Sequence, residues 1–347
     1  MAKLGDMVCT TPMFRAVKDK YPQAKIFVIG NSINKELLAG NPDVDKYLVW
    51  ENNFWQLIKE LKKEKIDFAC STHPNFRGLA LLYLAMVESI AVPIIKNGFS
   101  PVETRLYKLL RNFVVTAPHN MGNYVPKEYL RLLEPIGIFS ENTKKNLYFT
   151  KQAKDTIAKF FREKSVDTEK DFIIGISPSV GNKIKEWDLN NFAKLADYIS
   201  FRYHAKIVII GGRNDTDRAT EMAESLNPDT KFVNSAGLFS IDELKALISK
   251  LSLFISVDTG PVYVAEAFNV PTIDIIGPMD ENEQPPRGEL HKIVKLEARV
   301  KPAIHIMNSS EYDYEEARRQ IKGVSVDMVI KEAEFLIKSM MSFKKNE

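Results

Sequence analysis

Short runs of β-branched and aromatic residues alternate along this chain with longer segments of helical periodicity. The strands that this pattern predicts are four to seven residues long and lie at 25–30, 46–50, 67–72 and 90–95 in the first half, and at 171–177, 205–210, 231–234, 253–257, 271–276 and 291–296 in the second. Helical patterns such as 189–203 lie between them. Because this alternation is typical of parallel sheets covered by helices, the sequence predicts an α/β fold.

The pattern starts again after residue 150, where "TKQAKDTIAKFFREKS" begins a charged helix. A chain of 347 residues is too long for one ordinary doubly wound domain and suits two. We therefore expect one Rossmann-like domain over 1–150, a second over 151–325 and a C-terminal helix over 326–347. Open α/β sheets bind ligands beyond the carboxyl ends of their strands, so a ligand cleft is expected where the two domains face each other.

The beginning of the chain departs from this scheme. A doubly wound domain ordinarily begins with a strand, and here only Met1 to Leu4 precede a predicted turn at Gly5 and Asp6, which is followed by an amphipathic helix. We therefore expect the first strand of the N-terminal domain to be missing. Such a strand would be central in the sheet, and its loss would leave pairing edges exposed.

Composition and charge favour a globular protein with full cores and do not point to nucleic-acid binding or to a disulfide framework. Apolar residues make up 45% of the chain, which is enough for full cores, and 48 basic against 45 acidic residues leave a formal net charge of only +3. This balance gives no reason to expect nucleic-acid binding. The two cysteines, Cys9 and Cys70, lie far apart without a metal-ligand pattern, and we interpret them as reduced thiols.

No targeting or membrane-spanning segment is expected. The first twenty residues carry several charges and no long apolar run. The most apolar segment, 79–95, is interrupted by Glu88 and Pro93, and it fits a buried helix that runs into a buried strand. The predicted location is the cytoplasm, with peripheral contact at the inner face of the cytoplasmic membrane.

The stretch "LFISVDTGPVYVAEAF" places three polar or small residues, Asp258, Thr259 and Gly260, between a buried strand and a short helix. Free backbone N–H groups and the positive end of the helix dipole lie at such a position, and a glycine lets an anion approach the backbone. The natural ligand is a phosphate or diphosphate. The alternative is that Asp258 and Thr259 only cap the helix, and spacing alone does not separate the two interpretations.

A second loop, "ISPSVGNKIKEW", follows the first strand of the second domain. Its Ser177, Ser179 and Lys185 suit further phosphate contacts, although two solvated lysines in an exposed loop are the simpler interpretation. Asp215, after the turn "IIGGRND", is a candidate for a ribose hydroxyl or, more simply, a helix cap. Phe239 is the remaining candidate for donor binding.

The first domain offers two groups of basic residues. Arg77, in "HPNFRG" after a predicted strand, is a candidate for binding an anionic acceptor group, and the neighbouring loop histidine is more simply structural. Arg105, Lys108 and Arg111 share one face of a predicted helix. That face is either an ordinary solvated surface or a surface for an anionic lipid.

Several segments together resemble glycosyltransferase family 9, the ADP-heptose:lipopolysaccharide heptosyltransferases. They are "GDMVCTTPMFRAVKDKYPQAKIFVI", "NPDVDKYL", "KEW", "IIGGRND" and "ISVDTGPVYVAEAFNVPTIDIIGPMD". The resemblance implies a two-domain GT-B fold, with an ADP-sugar donor held by the C-terminal domain and the acceptor held by the N-terminal domain. It implies that Asp6 is the catalytic base, that Lys185 contacts the donor phosphate and that the turn at 258–260 holds the diphosphate.

Two further features depart from the family pattern. Tyr263 stands where the family usually has histidine, and "KPAIHIMNSSEYDYEEA" replaces a cysteine-bearing segment that many members carry. These departures bear on the identity of the donor and the acceptor.

The resemblance implies an inverting transfer of a heptose or similar sugar to a lipopolysaccharide core or related glycan. A carboxylate deprotonates the attacking hydroxyl, and a helix N-terminus with a lysine stabilises the departing diphosphate, so neither a metal nor another cofactor is expected. The alternatives are a nucleotide-sugar epimerase or hydrolase on the same fold, and a non-catalytic nucleotide-binding relative that has lost its first strand.

Overall fold

The structure, a computed structural model, describes residues 3–343 and divides into two compact units. The first unit contains the chain up to Asn146 together with Asn282–Gln284 and Ile304–Tyr312, and the second contains the rest. The division lies close to the expected boundary at residue 150. The two short returning segments belong to the first unit, although the sequence analysis included both in the second domain.

The first unit contains five strands and six α-helices among its described residues. The strands are β1 (Phe27–Gly30), β2 (Lys46–Val49), β3 (Phe68–Cys70), β4 (Ser89–Lys96) and β5 (Val115–Asn120). The helices are α1 (Leu4–Lys20), α2 (Ser32–Leu37), α3 (Phe54–Glu64), α4 (Phe76–Leu84), α5 (Arg105–Leu110) and α6 (Val125–Leu130). The segment 79–95 is a helix followed by a strand, as expected, and no helix within residues 3–343 has the length and apolarity that a bilayer crossing requires.

The strands of the first unit form two separate parallel sheets, β1-β2 and β3-β4-β5. Among residues 3–343 no strand precedes α1, which begins at Leu4. Gly5 and Asp6 do not form a separate turn as expected, because both lie in the first turn of α1.

The sequence analysis missed strand β5. Its sequence, "VTAPHN", contains a proline and ends in asparagine, which favours a turn over a strand. Pro118 is tolerated because β5 pairs only with β4 and therefore lies at the edge of its sheet. A proline nitrogen has no hydrogen to donate, and an edge strand does not need a donor on its open side.

The second unit is built on one six-stranded parallel sheet in the order β11-β10-β9-β6-β7-β8. The strands are β6 (Ile173–Ser177), β7 (Lys206–Ile209), β8 (Phe232–Asn234), β9 (Leu253–Val257), β10 (Thr272–Ile275) and β11 (His291–Val294). The helices are α7 (Lys151–Glu163), α8 (Leu189–Tyr203), α9 (Thr216–Glu224), α10 (Ile241–Ile248), α11 (Gly260–Ala267), α12 (Tyr314–Lys322) and α13 (Val326–Phe343). All six strands lie where the sequence predicted them.

The two central strands, β6 and β9, are buried along their whole length, because helices cover both faces of the sheet. Gly175 in β6 allows this close packing, since a Cβ atom there would lie 2.4 Å from Leu251 Cδ1. The C-terminal helix α13 packs against α8 and the strands β10 and β11, with Val329, Ala333 and Ile337 in the core.

The loop after β6 is joined to the C-terminal part of this unit through Trp187. Its side chain is 1% exposed, its Nε1 donates a hydrogen bond of 2.7 Å to the carbonyl oxygen of Val324, and its ring meets the edge of Phe192 at 4.8 Å. The loop that contains Lys185 is therefore held at its C-terminal end by a buried aromatic anchor.

We predict that Trp187→Phe lowers the free energy of unfolding by about 1–3 kcal/mol, because the Val324 carbonyl loses its donor while most apolar contacts remain. Trp187→Ala should cost about 3–5 kcal/mol, since it also leaves a cavity. Urea unfolding followed by circular dichroism measures both. Trp55→Phe is the matched control, because Trp55 is 69% exposed. Equal losses at Trp187 and Trp55 would contradict the anchoring role.

Candidate functional site

The carboxyl ends of β6 and β9 bring two loops together in the second unit. The strands are direct neighbours, with Ser177 paired to Ser256, and Ser256 Oγ donates a hydrogen bond of 3.3 Å to the Ser177 carbonyl oxygen. The segments that follow the two strands therefore start side by side. These are the two stretches in which the sequence analysis placed its phosphate-binding candidates.

Lys185 and Asp258 meet across these two loops. Lys185 Nζ donates to Asp258 Oδ2 at 2.8 Å and to the Asp258 carbonyl oxygen at 2.5 Å, and the two side chains are only 15% and 5% exposed. Tyr263, one turn into α11, donates its hydroxyl hydrogen to the other carboxylate oxygen of Asp258. Asp258 is thus a buried carboxylate with a cation on one side and a phenol on the other. Lys185 is therefore largely buried and paired, whereas the simpler interpretation from the sequence was a solvated lysine in an exposed loop.

The turn leads directly into the N-terminus of α11. Thr259 is the N-cap residue, but its side chain forms no capping hydrogen bond, and Asp258 is engaged with Lys185 and Tyr263 instead. Gly260 and Pro261 form the start of the helix. The structure therefore does not show the simple capping arrangement that was the alternative for this turn. It combines a helix N-terminus with a lysine, an arrangement suited to anions.

Two serines at the carboxyl end of β6 lie at the same edge, Ser177 as the last residue of the strand and Ser179 in the loop that follows. Ser177 is 3% exposed, and its carbonyl oxygen accepts the bond from Ser256. Ser179 is 5% exposed, and its hydroxyl oxygen has no hydrogen-bond partner among the described residues. Since a buried hydroxyl without a partner is costly, this position fits a group that is satisfied by a bound ligand.

Arg218 is a residue of this site region that sequence reasoning missed. From α9 it donates to the carbonyl oxygens of Pro178 at 2.9 Å and Trp187 at 2.8 Å, and it lies 3.6 Å from a Glu186 carboxylate oxygen. It therefore braces both ends of the loop that carries Ser179 and Lys185. No local pattern in the sequence distinguishes this arginine from a solvated one.

The other two donor candidates have partners within the protein. Asp215 ends a short 3-10 helix and is the N-cap residue of α9, but its side chain forms no capping hydrogen bond to α9 and instead accepts a bond of 2.7 Å from the Gly212 backbone N–H. Phe239 packs edge-on against Phe160 with ring centroids 4.9 Å apart. Both contacts are structural, and no contact joins either side chain to the Lys185–Asp258 pair in the described residues.

In the first unit, Asp6 is a buried carboxylate with several partners. It lies in the first turn of α1, is 8% exposed, and accepts hydrogen bonds of 2.9 Å from the Lys3 backbone N–H at Oδ2 and from Gln284 Nε2 at Oδ1. His73 Nε2 lies 3.9 Å from Oδ2. The N-cap residue of α1 is Lys3, and Asp6 is the acceptor for that residue's own N–H.

Gln284 reaches Asp6 because the segment 282–284 is firmly held in the first unit. Glu283, 1% exposed, accepts backbone hydrogen bonds from Gly122 at 3.0 Å and Ile306 at 2.6 Å. The buried Lys145 lies 3.4 Å from the Gln284 carbonyl oxygen and donates to it. Sequence reasoning missed Gln284, because nothing local links it to a residue at the other end of the chain.

The first unit contains two further candidate residues, His73 and Arg77, which differ in exposure and charge. The His73 side chain is 27% exposed, yet desolvation by the surrounding protein lowers its pKa, with the Asp6 carboxylate acting in the opposite direction. The ring is therefore mainly neutral at pH 7. Arg77 is exposed in the first turn of α4 and has no ion-pair partner among residues 3–343, which leaves its charge available to an anionic group.

Comparison with known proteins identifies the family. A family model described as glycosyltransferase family 9 (heptosyltransferase) matches residues 54–312, so Asp6 lies outside the matched part. Lipopolysaccharide heptosyltransferase 3 of Escherichia coli K12 is 27% identical over 287 residues, which cover 80% of each chain.

Solved structures agree on the fold. The family 9 glycosyl transferase of Veillonella parvula has a TM-score of 0.80 at 20% identity and covers 97% of this chain and 95% of the other. The ADP-heptose lps heptosyltransferase II of E. coli has a TM-score of 0.77 at 18% identity, with 98% of both chains covered. The iron-containing dodecameric glycosyltransferase TibC of enterotoxigenic E. coli is more distant, with a TM-score of 0.56 at 12% identity, and covers 98% and 75%.

The predicted GT-B type α/β fold is thus confirmed. Because the family model spans most of the sequence, this chain is a glycosyltransferase that belongs to glycosyltransferase family 9, the heptosyltransferase family.

Proposed function

We propose that this enzyme transfers a heptose or similar sugar, with inversion and without a metal, from an ADP-sugar to a lipopolysaccharide core or related glycan. The observation that carries the proposal is the buried Lys185–Asp258 pair at the N-terminus of α11, at the carboxyl ends of two central parallel strands. Open α/β sheets bind nucleotides at this edge. The relatives' names supply the sugar and the acceptor class.

Asp6 is the proposed base. An inverting transfer needs a carboxylate that removes the proton of the attacking hydroxyl as the sugar leaves through an oxocarbenium-like transition state. Asp6 is held by Lys3 and Gln284 at two different oxygens, so its orientation is set before the acceptor arrives. Gln284 acts in this proposal as a positioning residue.

The second unit supplies the charge that the leaving group needs. Negative charge grows on the departing diphosphate, and the N–H groups at the start of α11 together with Lys185 Nζ are fixed donors that need little reorganisation. Ser179 adds a buried hydroxyl that lacks another partner among the described residues. Tyr263, at the position where the family usually has histidine, holds Asp258 and so fixes Lys185 indirectly.

The acceptor is proposed to meet the first unit, with Arg77 as a contact for its anionic groups. A lipopolysaccharide core is attached to a lipid, and we propose that the enzyme makes peripheral contact with the inner membrane surface when it reaches such an acceptor. Asp215 and Phe239 have structural contacts within the protein. They remain candidates for donor binding, with Asp215 proposed to meet a ribose hydroxyl.

We predict that Asp6→Asn lowers turnover by about 10²–10⁴-fold, the usual contribution of a general base. The fold and the affinity for ADP should hardly change, because an asparagine oxygen still accepts the Lys3 N–H and a rotated Gln284 amide can pair with the new amide group. Steady-state transfer assays and ADP calorimetry measure these quantities. Asp19→Asn, on an exposed position of the same helix, is the control. Unchanged turnover in Asp6→Asn would assign the proton to another group.

We predict that Lys185→Ala weakens ADP binding by about 1.5–3 kcal/mol, the range for a hydrogen bond to a charged group. Lys183→Ala, an exposed lysine in the same short helix, makes the same change in net charge and should leave the affinity unchanged. Calorimetry at one fixed salt concentration compares the two, with a melting curve to verify that each variant is folded. Equal affinities for wild type and Lys185→Ala would remove Lys185 from the donor site.

We predict that transfer activity survives treatment with EDTA followed by desalting, because the helix terminus and Lys185 carry the positive charge that a metal would otherwise supply. The test matters because iron is present in the structural neighbour TibC. Metal analysis of the treated protein should accompany the assay. Loss of activity that returns only with a divalent metal would contradict this part of the proposal.

Product analysis separates the proposal from its alternatives. Mass spectrometry of reactions with a panel of ADP-sugars and lipopolysaccharide core acceptors should show a glycosylated acceptor and ADP. Conversion of the donor without acceptor would indicate an epimerase or a hydrolase. Binding of ADP without any product would indicate a non-catalytic relative and leave the diphosphate site in place.

A further inference from the structure

The region around α5 exposes an unusual number of large apolar side chains. Phe99, Val102, Leu106, Leu109 and Phe113 are 51%, 45%, 57%, 62% and 69% exposed. Single exposed apolar residues are common on soluble proteins, whereas a concentration of this kind marks an interaction surface.

The backbone of this region is well anchored, so the exposure is not a consequence of a loose segment. Tyr107, on the opposite side of α5, is fully buried and donates a hydrogen bond of 2.7 Å to the Pro93 carbonyl oxygen. Thr104 Oγ1 caps the helix by accepting from the Tyr107 N–H at 3.3 Å. Leu106 and Leu109 lie three residues apart on α5, which places them on one side of that helix, and Phe113 ends the short 3-10 helix Arg111–Phe113 that follows it. We call these three residues, with Phe99 and Val102, the α5 apolar surface.

Positive charge accompanies the α5 apolar surface. Residues 96–116 contain four bases and one acid, a net charge of +3 that equals the formal net charge of the whole chain. Lys96, Arg105 and Lys108 are exposed. Glu103 forms an ion pair with Arg111, which the sequence grouped with Arg105 and Lys108, and its other carboxylate oxygen lies 3.9 Å from Lys108 Nζ. The Lys108 side chain nevertheless stays 54% exposed, whereas that of Arg111 is 19% exposed. The outward-facing charge is therefore positive.

We propose that the α5 apolar surface, with Lys96, Arg105 and Lys108, docks on an anionic lipid bilayer. Leucine and phenylalanine side chains enter the boundary between headgroups and acyl chains, while basic side chains beside them attract anionic headgroups. This mixture of apolar and basic residues is typical of surfaces that lie on a membrane without spanning it.

Charge argues against a second copy of the chain as the occupant. A symmetric dimer brings the same patch of both subunits together, so three exposed bases would face three exposed bases. Like charges that lose solvent at an interface are destabilising. An anionic bilayer presents the complementary charge to the same surface.

The test measures co-sedimentation of the full chain with vesicles of phosphatidylglycerol and phosphatidylethanolamine, and with neutral phosphatidylcholine vesicles. No substrate is present, so failure here would be independent of the proposed transferase activity. We expect binding to the anionic vesicles only, weakening as salt is raised because screening reduces the attraction. Equal binding to both vesicles, or to neither, would overturn the proposal.

Two double variants test the two components of the surface. Arg105→Gln with Lys108→Gln should weaken binding to anionic vesicles by about twenty-five-fold, at roughly fivefold for each base removed near the membrane. Leu106→Ser with Leu109→Ser should also weaken it, because apolar insertion is lost. Both pairs are exposed, and transfer to a soluble, delipidated acceptor should be unchanged.

Control variants make comparable changes elsewhere on the surface. Lys151→Gln with Lys154→Gln removes two exposed charges from α7, and Phe201→Ser removes an apolar side chain that is 50% exposed. Neither should alter vesicle binding, and a loss as large as that of the α5 variants would overturn the assignment. One outcome would establish a second copy of the chain as the partner instead. In that outcome the wild type does not bind vesicles but self-associates as its concentration is raised, and Leu106→Ser with Leu109→Ser abolishes this self-association.

Discussion

Parallel strand pairing is the constraint on which the rest of this structure depends. Every strand pair among the described residues is parallel, in both units. Parallel strands require a crossover between them, which here is usually helical, and the helices bury the sheet faces. The carboxyl ends of all strands in one parallel sheet then lie at the same edge of that sheet. Segments that follow β6 and β9 meet there, although 73 residues separate Lys185 from Asp258.

The Lys185–Asp258 pair shows how such an edge accommodates charge. A buried carboxylate is stable only with a cation or strong donors, and Asp258 has Lys185 and Tyr263. The pair holds the lysine side chain beside the N-terminus of α11. In the proposed donor complex, a diphosphate would therefore meet a lysine that is already oriented, and little side-chain entropy would remain to be lost on binding.

In the first unit, the buried carboxylate of Asp6 is held by neutral hydrogen-bond donors rather than by a cation. Asp6 is oriented by a backbone N–H three residues before it and by an amide that lies 278 residues further along the chain. Glu283 and Lys145, both buried, fix the segment that carries this amide. The strands of this unit form two sheets, and in the described residues α1 and the returning segment, rather than a strand before α1, hold the Asp6 carboxylate.

Local pattern determined most of the architecture. Hydrophobic periodicity placed ten of the eleven described strands, because the signals for strands and helices extend over only a few neighbouring residues. The acid–hydroxyl–glycine turn at 258–260 marked a candidate anion site, which spacing alone did not separate from a simple helix cap. Only the tertiary structure decided that Tyr263 pairs with Asp258, that Arg218 braces the loop before Trp187, and that Gln284 reaches Asp6. Only the tertiary structure shows that Arg111 forms an ion pair with Glu103, and that the neighbouring apolar side chains of Leu109 and Phe113 are exposed. These are contacts between side chains whose approach depends on how whole elements pack, and no local pattern contains that information.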